Sequence, residues 1–124
     1  MDFNEYQSAA LKSAVYKNIH VSPSTLNIDK AGNISPRSLE HIWYPAIGLS
    51  GEVGEILNKV KKYWRDGKNV NVEELKGELG DVLWYVAALA SELDLKLEDI
   101  AASNITKLEG RIKRETLSGS GDNR

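Results

Sequence analysis

Cysteine is absent from this 124-residue chain, which removes disulfides, thiolate metal sites and a cysteine nucleophile together. Histidine occurs only at His20 and His41, too few for a histidine-rich zinc site. Neither sign of charge dominates: 16 Lys and Arg stand against 18 Asp and Glu, for a net charge of -2. That balance excludes gripping nucleic acid through a general basic surface and leaves a small phosphorylated ligand open. No run approaches the roughly 18 uninterrupted apolar residues of a membrane span. The opening MDFNEYQS has neither the basic region nor the apolar stretch of a secretory signal. The expectation is one soluble, cytoplasmic domain over residues 1–124, with no membrane and no nucleic-acid partner.

Alternating strand patterns are also missing, and helical periodicity takes their place. A first segment over about residues 2–20 sets Phe3, Tyr6, Ala10, Val15 and Tyr16 at mostly helical spacing, with Asp2 and Glu5 placed as a capping pair. The stretch VSPSTLNIDKAGNISPRS, residues 21–38, is rich in Ser, Asn, Pro and Gly and reads as a long loop. Ser38 is a candidate cap for a short turn interrupted by Pro45. A helix is expected from about Ala46 to Arg65, stopped by Asp66-Gly67. The next is capped by Asn71, with Glu74 completing a capping box, and runs to about Leu93; a last one spans about Glu98 to Arg114. Residues 115–124, Gly/Ser-rich, read as a flexible tail. The fold class is all-α, a four-helix bundle-like subunit.

The most informative pattern is a repeat: LSGEVGEIL, Leu49 to Leu57, aligns without gaps on LKGELGDVL, Leu75 to Leu83. Each copy carries two acids three residues apart, Glu52 with Glu55 and Glu78 with Asp81. Such a spacing places both on one side of a helix. They flank apolar stripes formed by Leu49, Val53, Ile56, Val60 and Tyr63 in one helix and by Leu75, Leu79, Val82, Val86 and Leu89 in the other. Packed antiparallel, the two stripes bring four carboxylates together. One acid pair alone is an ordinary solvated helix face. Two copies, marked by Gly51, Gly54, Gly77 and Gly80 inside helices at about 1 kcal/mol each, need a reason such as close backbone approach or room for a ligand. Converging carboxylates repel unless a cation neutralises them, and oxygen-only ligands suit Mg²⁺ or Mn²⁺.

Further candidates surround these acids. Lys59 and Lys62 continue the face of Glu52 and Glu55, where they meet a polyphosphate. Asn104 sits on an apolar face with Ile100 and Leu108, and Lys107 and Arg111 follow it on adjoining faces, suited to phosphate oxygens. His41, Trp43 and Tyr44 precede the glycine-marked helix, and an aromatic there can stack on a base. Tyr85, one turn after Asp81, is a nucleotide contact by the same reasoning. Trp84 lies on the opposite face with Ala88 and Ser91, which calls for a second packing partner, in so short a chain another subunit.

Glu52-x-x-Glu55 and Glu78-x-x-Asp81 resemble the hallmark of the MazG-like all-α nucleoside triphosphate pyrophosphohydrolases, and the likeness runs from about Leu49 to Arg114. The Asn-x-x-Lys element of that family's last helix is matched by Asn104 and Lys107. The resemblance implies an enzyme that cuts nucleotides between the α and β phosphates, serving nucleotide-pool control. It implies Mg²⁺ held by Glu52, Glu55, Glu78 and Asp81, with Glu55 a candidate to accept the proton of the attacking water, and homodimers or dimers of dimers. Alternatives are a related helical pyrophosphatase acting on dUTP or phosphoribosyl-ATP, and a non-catalytic helical interaction protein. A di-iron bundle is disfavoured because no E-x-x-H occurs.

Overall fold

The computed structural model describes residues 1–18, 28–34 and 40–121. Helix α1 spans Phe3–Ala10, and 3-10 turns follow at Leu11–Ser13 and Val15–Asn18. Three longer helices complete the fold: α2 at Glu40–Asp66, α3 at Val72–Glu92 and α4 at Leu97–Lys113. No strand forms among the described residues; an isolated antiparallel bridge there joins Ile28 to Ile34. The all-α expectation holds. Most of the expected 21–38 loop, and the Ser38 cap, lie outside the described residues.

Local chemistry sets most of the ends. Asp2 accepts the Glu5 N–H at 2.7 Å and Glu5 accepts the Asp2 N–H at 2.8 Å, so the expected capping box opens α1. α1 is shorter than the expected 2–20 segment because the chain tightens into 3-10 turns after Ala10. α2 begins at Glu40, six residues before Ala46, and passes through Pro45. A proline inside a helix forfeits one backbone hydrogen bond while keeping a helical φ. Here its ring is fully buried, and that packing offsets the loss. Asn71 caps α3 by accepting the Glu73 N–H at 2.9 Å, but the expected box with Glu74 does not close, since Glu74 reaches Lys59 instead.

Helices α3 and α4 both end in a left-handed residue that is not glycine. Asp94 and Glu115 each have φ 55°. In each case the following N–H reaches back five residues, Leu95 to the Ala90 carbonyl and Thr116 to that of Arg111, both at 2.9 Å. Each left-handed residue also donates three back, to Ser91 and Ile112. These are Schellman closures, which usually place glycine at that site. The second turns the chain after α4 back on the helix, and Arg111 holds the returning segment through the Gly121 carbonyl at 3.2 Å.

α2 and α3 form an antiparallel hairpin, and its register shows in the contacts: Lys59 meets Glu74 and Glu78, Gly48 meets Tyr85, and His41 meets Glu92. On another side of α3, the buried alanines Ala87, Ala88 and Ala90 let the N-terminal segment approach closely. Ala10, Ala14, Tyr16 and Leu97 complete this small core. Trp84 packs within it, its indole N–H donating to Ser13 Oγ at 2.9 Å and the Ala10 carbonyl at 3.1 Å. The second partner expected for Trp84 is therefore this chain's own N-terminus. Gln7 ties the layers together, donating to Ser91 Oγ at 2.8 Å and the Leu95 carbonyl at 2.9 Å. Its side-chain oxygen also accepts the Leu97 N–H at 2.8 Å. That supplies the cap α4 lacks locally, because Lys96 has no side-chain acceptor.

Candidate metal and nucleotide site

The α2–α3 groove brings three of the four repeat acids together. Glu52, Glu78 and Asp81 each offer a carboxylate oxygen, and these oxygens lie within 4.8 Å of one another. Glu52 and Glu78 are half-buried and Asp81 is exposed. The interface is rotated from the one the apolar stripes predict: Val53 is 41% and Leu79 58% exposed, so the acids take the place between helices that those two were expected to fill. Glu55 is exposed and stands outside the trio, one turn along α2 from Glu52.

Electrostatics follow from this crowding. Burial raises the Glu52 carboxyl above its ordinary value, and the charges of Asp81, Glu78 and Glu55 raise it further. Lys59 enters the groove from α2 with its ammonium 3.5 Å from Glu78 Oε1 and 3.5 Å from Glu74 Oε2. Desolvation opposes the Lys59 charge, but the two glutamates outweigh it and hold the ammonium above its ordinary range. The donor set fits a hard divalent cation. All the candidate ligands are oxygens within 4.8 Å of one another, comparable to the roughly 4 Å across an octahedral Mg²⁺ shell.

The four motif glycines do not serve close packing. Among the described residues, a β-carbon added at Gly51, Gly54, Gly77 or Gly80 meets nothing within 4 Å, so the expected close backbone approach is not found at them. Close approach occurs instead at Gly48, where a β-carbon would overlap the ring of Tyr85. Tyr85 is beside the acids as expected. Burial raises its phenol first, then the neighbouring Tyr44, and then Glu52 and Asp81. Tyr44 in turn stacks on Tyr16 with ring centroids 4.7 Å apart. Sequence reasoning missed both Gly48 and Tyr6. The Tyr6 phenol, raised by burial, also feels the charge of Asp81. A glycine one turn before Glu52 on the same face was a usable signal, whereas no spacing brings Tyr6 from α1 to Asp81.

The remaining candidates are dispersed. His41 Nδ1 lies 3.9 Å from Glu92 Oε2, three turns up α2 from the trio. The same carboxylate accepts the Tyr16 hydroxyl at 2.7 Å and pairs with Lys17 at 3.4 Å. Trp43, nine positions before Glu52, is on the opposite side of α2 and 61% exposed. Lys62 is exposed, and its charge helps Arg65 hold the Asp66 carboxyl below its ordinary value. Asn104 and Lys107 line a cleft of about 540 Å³ with Phe3, Leu83 and Ile100, and that cleft includes none of the acids. Arg111 is 6% exposed and engages the returning C-terminal segment.

Comparison with known proteins covers α4 as well as the α2–α3 hairpin. The model of the MazG nucleotide pyrophosphohydrolase domain matches residues 46–115, which include all four acids, Asn104 and Lys107. Among curated proteins, the chain is 42% identical over 128 residues to "Gene 37 protein" of Mycobacterium phage L5, with all of both chains covered. No solved structure matches it.

Proposed function

The chain belongs to the MazG nucleotide pyrophosphohydrolase family, and on that premise we propose that it hydrolyses (deoxy)nucleoside triphosphates between the α and β phosphates. The products are a nucleoside monophosphate and pyrophosphate. The observation that carries this reading is the convergence of Glu52, Glu78 and Asp81 from two helices on one point. Mg²⁺, or Mn²⁺ in its place, is the cofactor that suits these ligands. When bound, it neutralises phosphate charge and lowers the pKa of water at the site. Glu55 stands beside the trio without belonging to it, and so remains available to take a proton from the attacking water. Of the candidates for the polyphosphate and sugar, Lys59 already reaches the acid groove, and Lys62, Asn104, Lys107 and Arg111 stand further from it. Tyr85, beside the acids, is the first candidate to contact the base, ahead of Trp43 and His41, which stand away from them.

The outer face of α2 supports self-association into a dimer or dimer of dimers: Ile47 is 71%, Leu57 63% and Trp64 81% exposed. Large apolar side chains exposed along one side of a helix are candidates for a protein interface. No helix among the described residues is long and apolar enough to cross a membrane. That fits an enzyme working on the cytoplasmic nucleotide pool. Narrower substrates, dUTP or phosphoribosyl-ATP, use the same chemistry. An interaction protein built on the exposed α2 face is the reading from a different class.

One experiment separates these. All common ribo- and deoxynucleoside triphosphates, dGTP first, are incubated with Mg²⁺ or Mn²⁺ in ¹⁸O-water. Monophosphate carrying the label, with unlabelled pyrophosphate, is expected. Diphosphate plus orthophosphate, or label in pyrophosphate, contradicts attack at the α phosphorus. No hydrolysis of any nucleotide with either metal makes the interaction protein the better account.

A further inference from the structure

We propose that Lys59 is the built-in counter-cation of the acid groove: it occupies Glu78 until a polyphosphate draws it away, so that the divalent cation enters with the nucleotide and not ahead of it. This rests on the metal-and-nucleotide reading given above.

Lys59 is placed for such an exchange by α2 itself. It follows Glu55 by one turn and Glu52 by two, on the same side of the helix. Its ammonium stands 3.5 Å from an oxygen of Glu78, a member of the trio, and 3.5 Å from Glu74, one turn earlier on α3 and outside the trio. The pair with Glu78 is recessed, the two side chains being 27% and 20% exposed, so solvent screens it less than a pair on the rim. A positive charge at that position lowers the attraction of the groove for a free dication. It also offsets part of the repulsion that a metal-free groove otherwise carries.

The pairing is also loose. Charge-assisted hydrogen bonds from nitrogen to carboxylate run to about 2.7–2.9 Å. Lys59 instead straddles two glutamates at 3.5 Å, each contact well beyond that range. Lysine carries its charge on a flexible four-carbon stem with freely turning donors. An incoming triphosphate offers several anionic oxygens in the same groove. When the ammonium turns to them, the Glu78 Oε1 that it had paired with becomes free for the metal. The exchange is purely ionic: no bond is made or broken, and the polyphosphate takes over the charge that Glu78 gives up.

The test is Mn²⁺ binding to the full-length protein, followed by electron paramagnetic resonance, with and without a non-hydrolysable α,β-imido nucleoside triphosphate. Wild type is expected to bind Mn²⁺ weakly alone and more tightly with the analogue. Lys59→Met should bind Mn²⁺ about tenfold more tightly without nucleotide and lose most of the dependence on the analogue. Lys59→Arg, which keeps the charge, should behave as wild type. Lys59→Gln serves as the neutral variant if the Met form is misfolded by circular dichroism. Neutral variants that bind Mn²⁺ no more tightly than wild type, while wild type binds it normally, overturn the role of Lys59 and leave the metal site standing. No Mn²⁺ binding by any form, even with the analogue, overturns the metal site and this inference together.

Discussion

The ring of Tyr85 lies over Gly48, in the space that a β-carbon at that position would fill. This contact sets how closely α2 and α3 approach just beyond the acids. Gly48→Ala must push the ring away, and over-packing of this kind costs about 1–3 kcal/mol. Gly51→Ala meets open space and should gain up to about 1 kcal/mol from helix propensity. Urea unfolding of the two variants should therefore shift in opposite directions from wild type. A Gly48→Ala variant as stable as Gly51→Ala contradicts the contact.

Glu52→Gln, Glu78→Gln, Asp81→Asn and Glu55→Gln should each lower turnover by about a hundredfold or more with the fold intact. Pyrophosphate release at saturating Mg²⁺, with circular dichroism as the control for folding, measures this. Four variants with near-native turnover would show that the groove is not the catalytic site.

The raised carboxyl of Glu52 gives the metal-free protein a definite pH dependence. Below the ordinary glutamate range the group is protonated in both folded and unfolded chains. As pH rises from there towards the raised folded value, the unfolded chain releases its proton first, and the folded form loses stability. Glu52→Gln removes that loss. In EDTA, the variant should be more stable than wild type at pH 7, with the difference shrinking as pH falls to 4. A difference of the same size at both pH values rules out the cause proposed here.

Removing the Trp84 side chain should release the N-terminal segment. Trp84→Ala deletes both indole hydrogen bonds and the ring that packs on Tyr16 and Ala10, at a cost of about 3–5 kcal/mol. Thermal unfolding reads the total, and limited proteolysis should show cleavage within residues 1–18 before α3 is cut.

Glu115 holds a left-handed conformation at the end of α4 that costs a residue with a β-carbon roughly 1 kcal/mol or more. Glu115→Gly should recover about that amount in denaturant unfolding. A destabilised variant would mean that the side chain, rather than the turn, matters there.

Much of this was legible from residue order. Asp2 and Glu5, Asn71, and Asp66-Gly67 mark helix ends through local chemistry, and the paired acids of the repeat announce the groove before any packing is known. What was not legible depends on contacts across the chain. Pro45 read as a break, because the burial of its ring that offsets the lost hydrogen bond is tertiary. The apolar stripes placed Val53 and Leu79 between the helices, but periodicity fixes an angle only to within the width of a face. Rotation by a part of that width brings Glu52 and Glu78 inward and leaves Glu55 outside. Arg111 and His41 stood out by their charge, but their contacts with the Gly121 carbonyl and the Glu92 carboxylate could be seen only in the fold.

The indole of Trp84 is roofed by residues that precede the matched span of 46–115. The folding unit therefore extends beyond the span that the domain model matches, and the likeness to the phage protein runs through that N-terminal segment too. A protein trimmed to the matched span would retain every acid and still present Trp84, Ala87 and Ala88 to water. It would inherit the chemistry while acquiring an adhesive flank, so a useful minimal version has to keep α1 and the 3-10 turns after it.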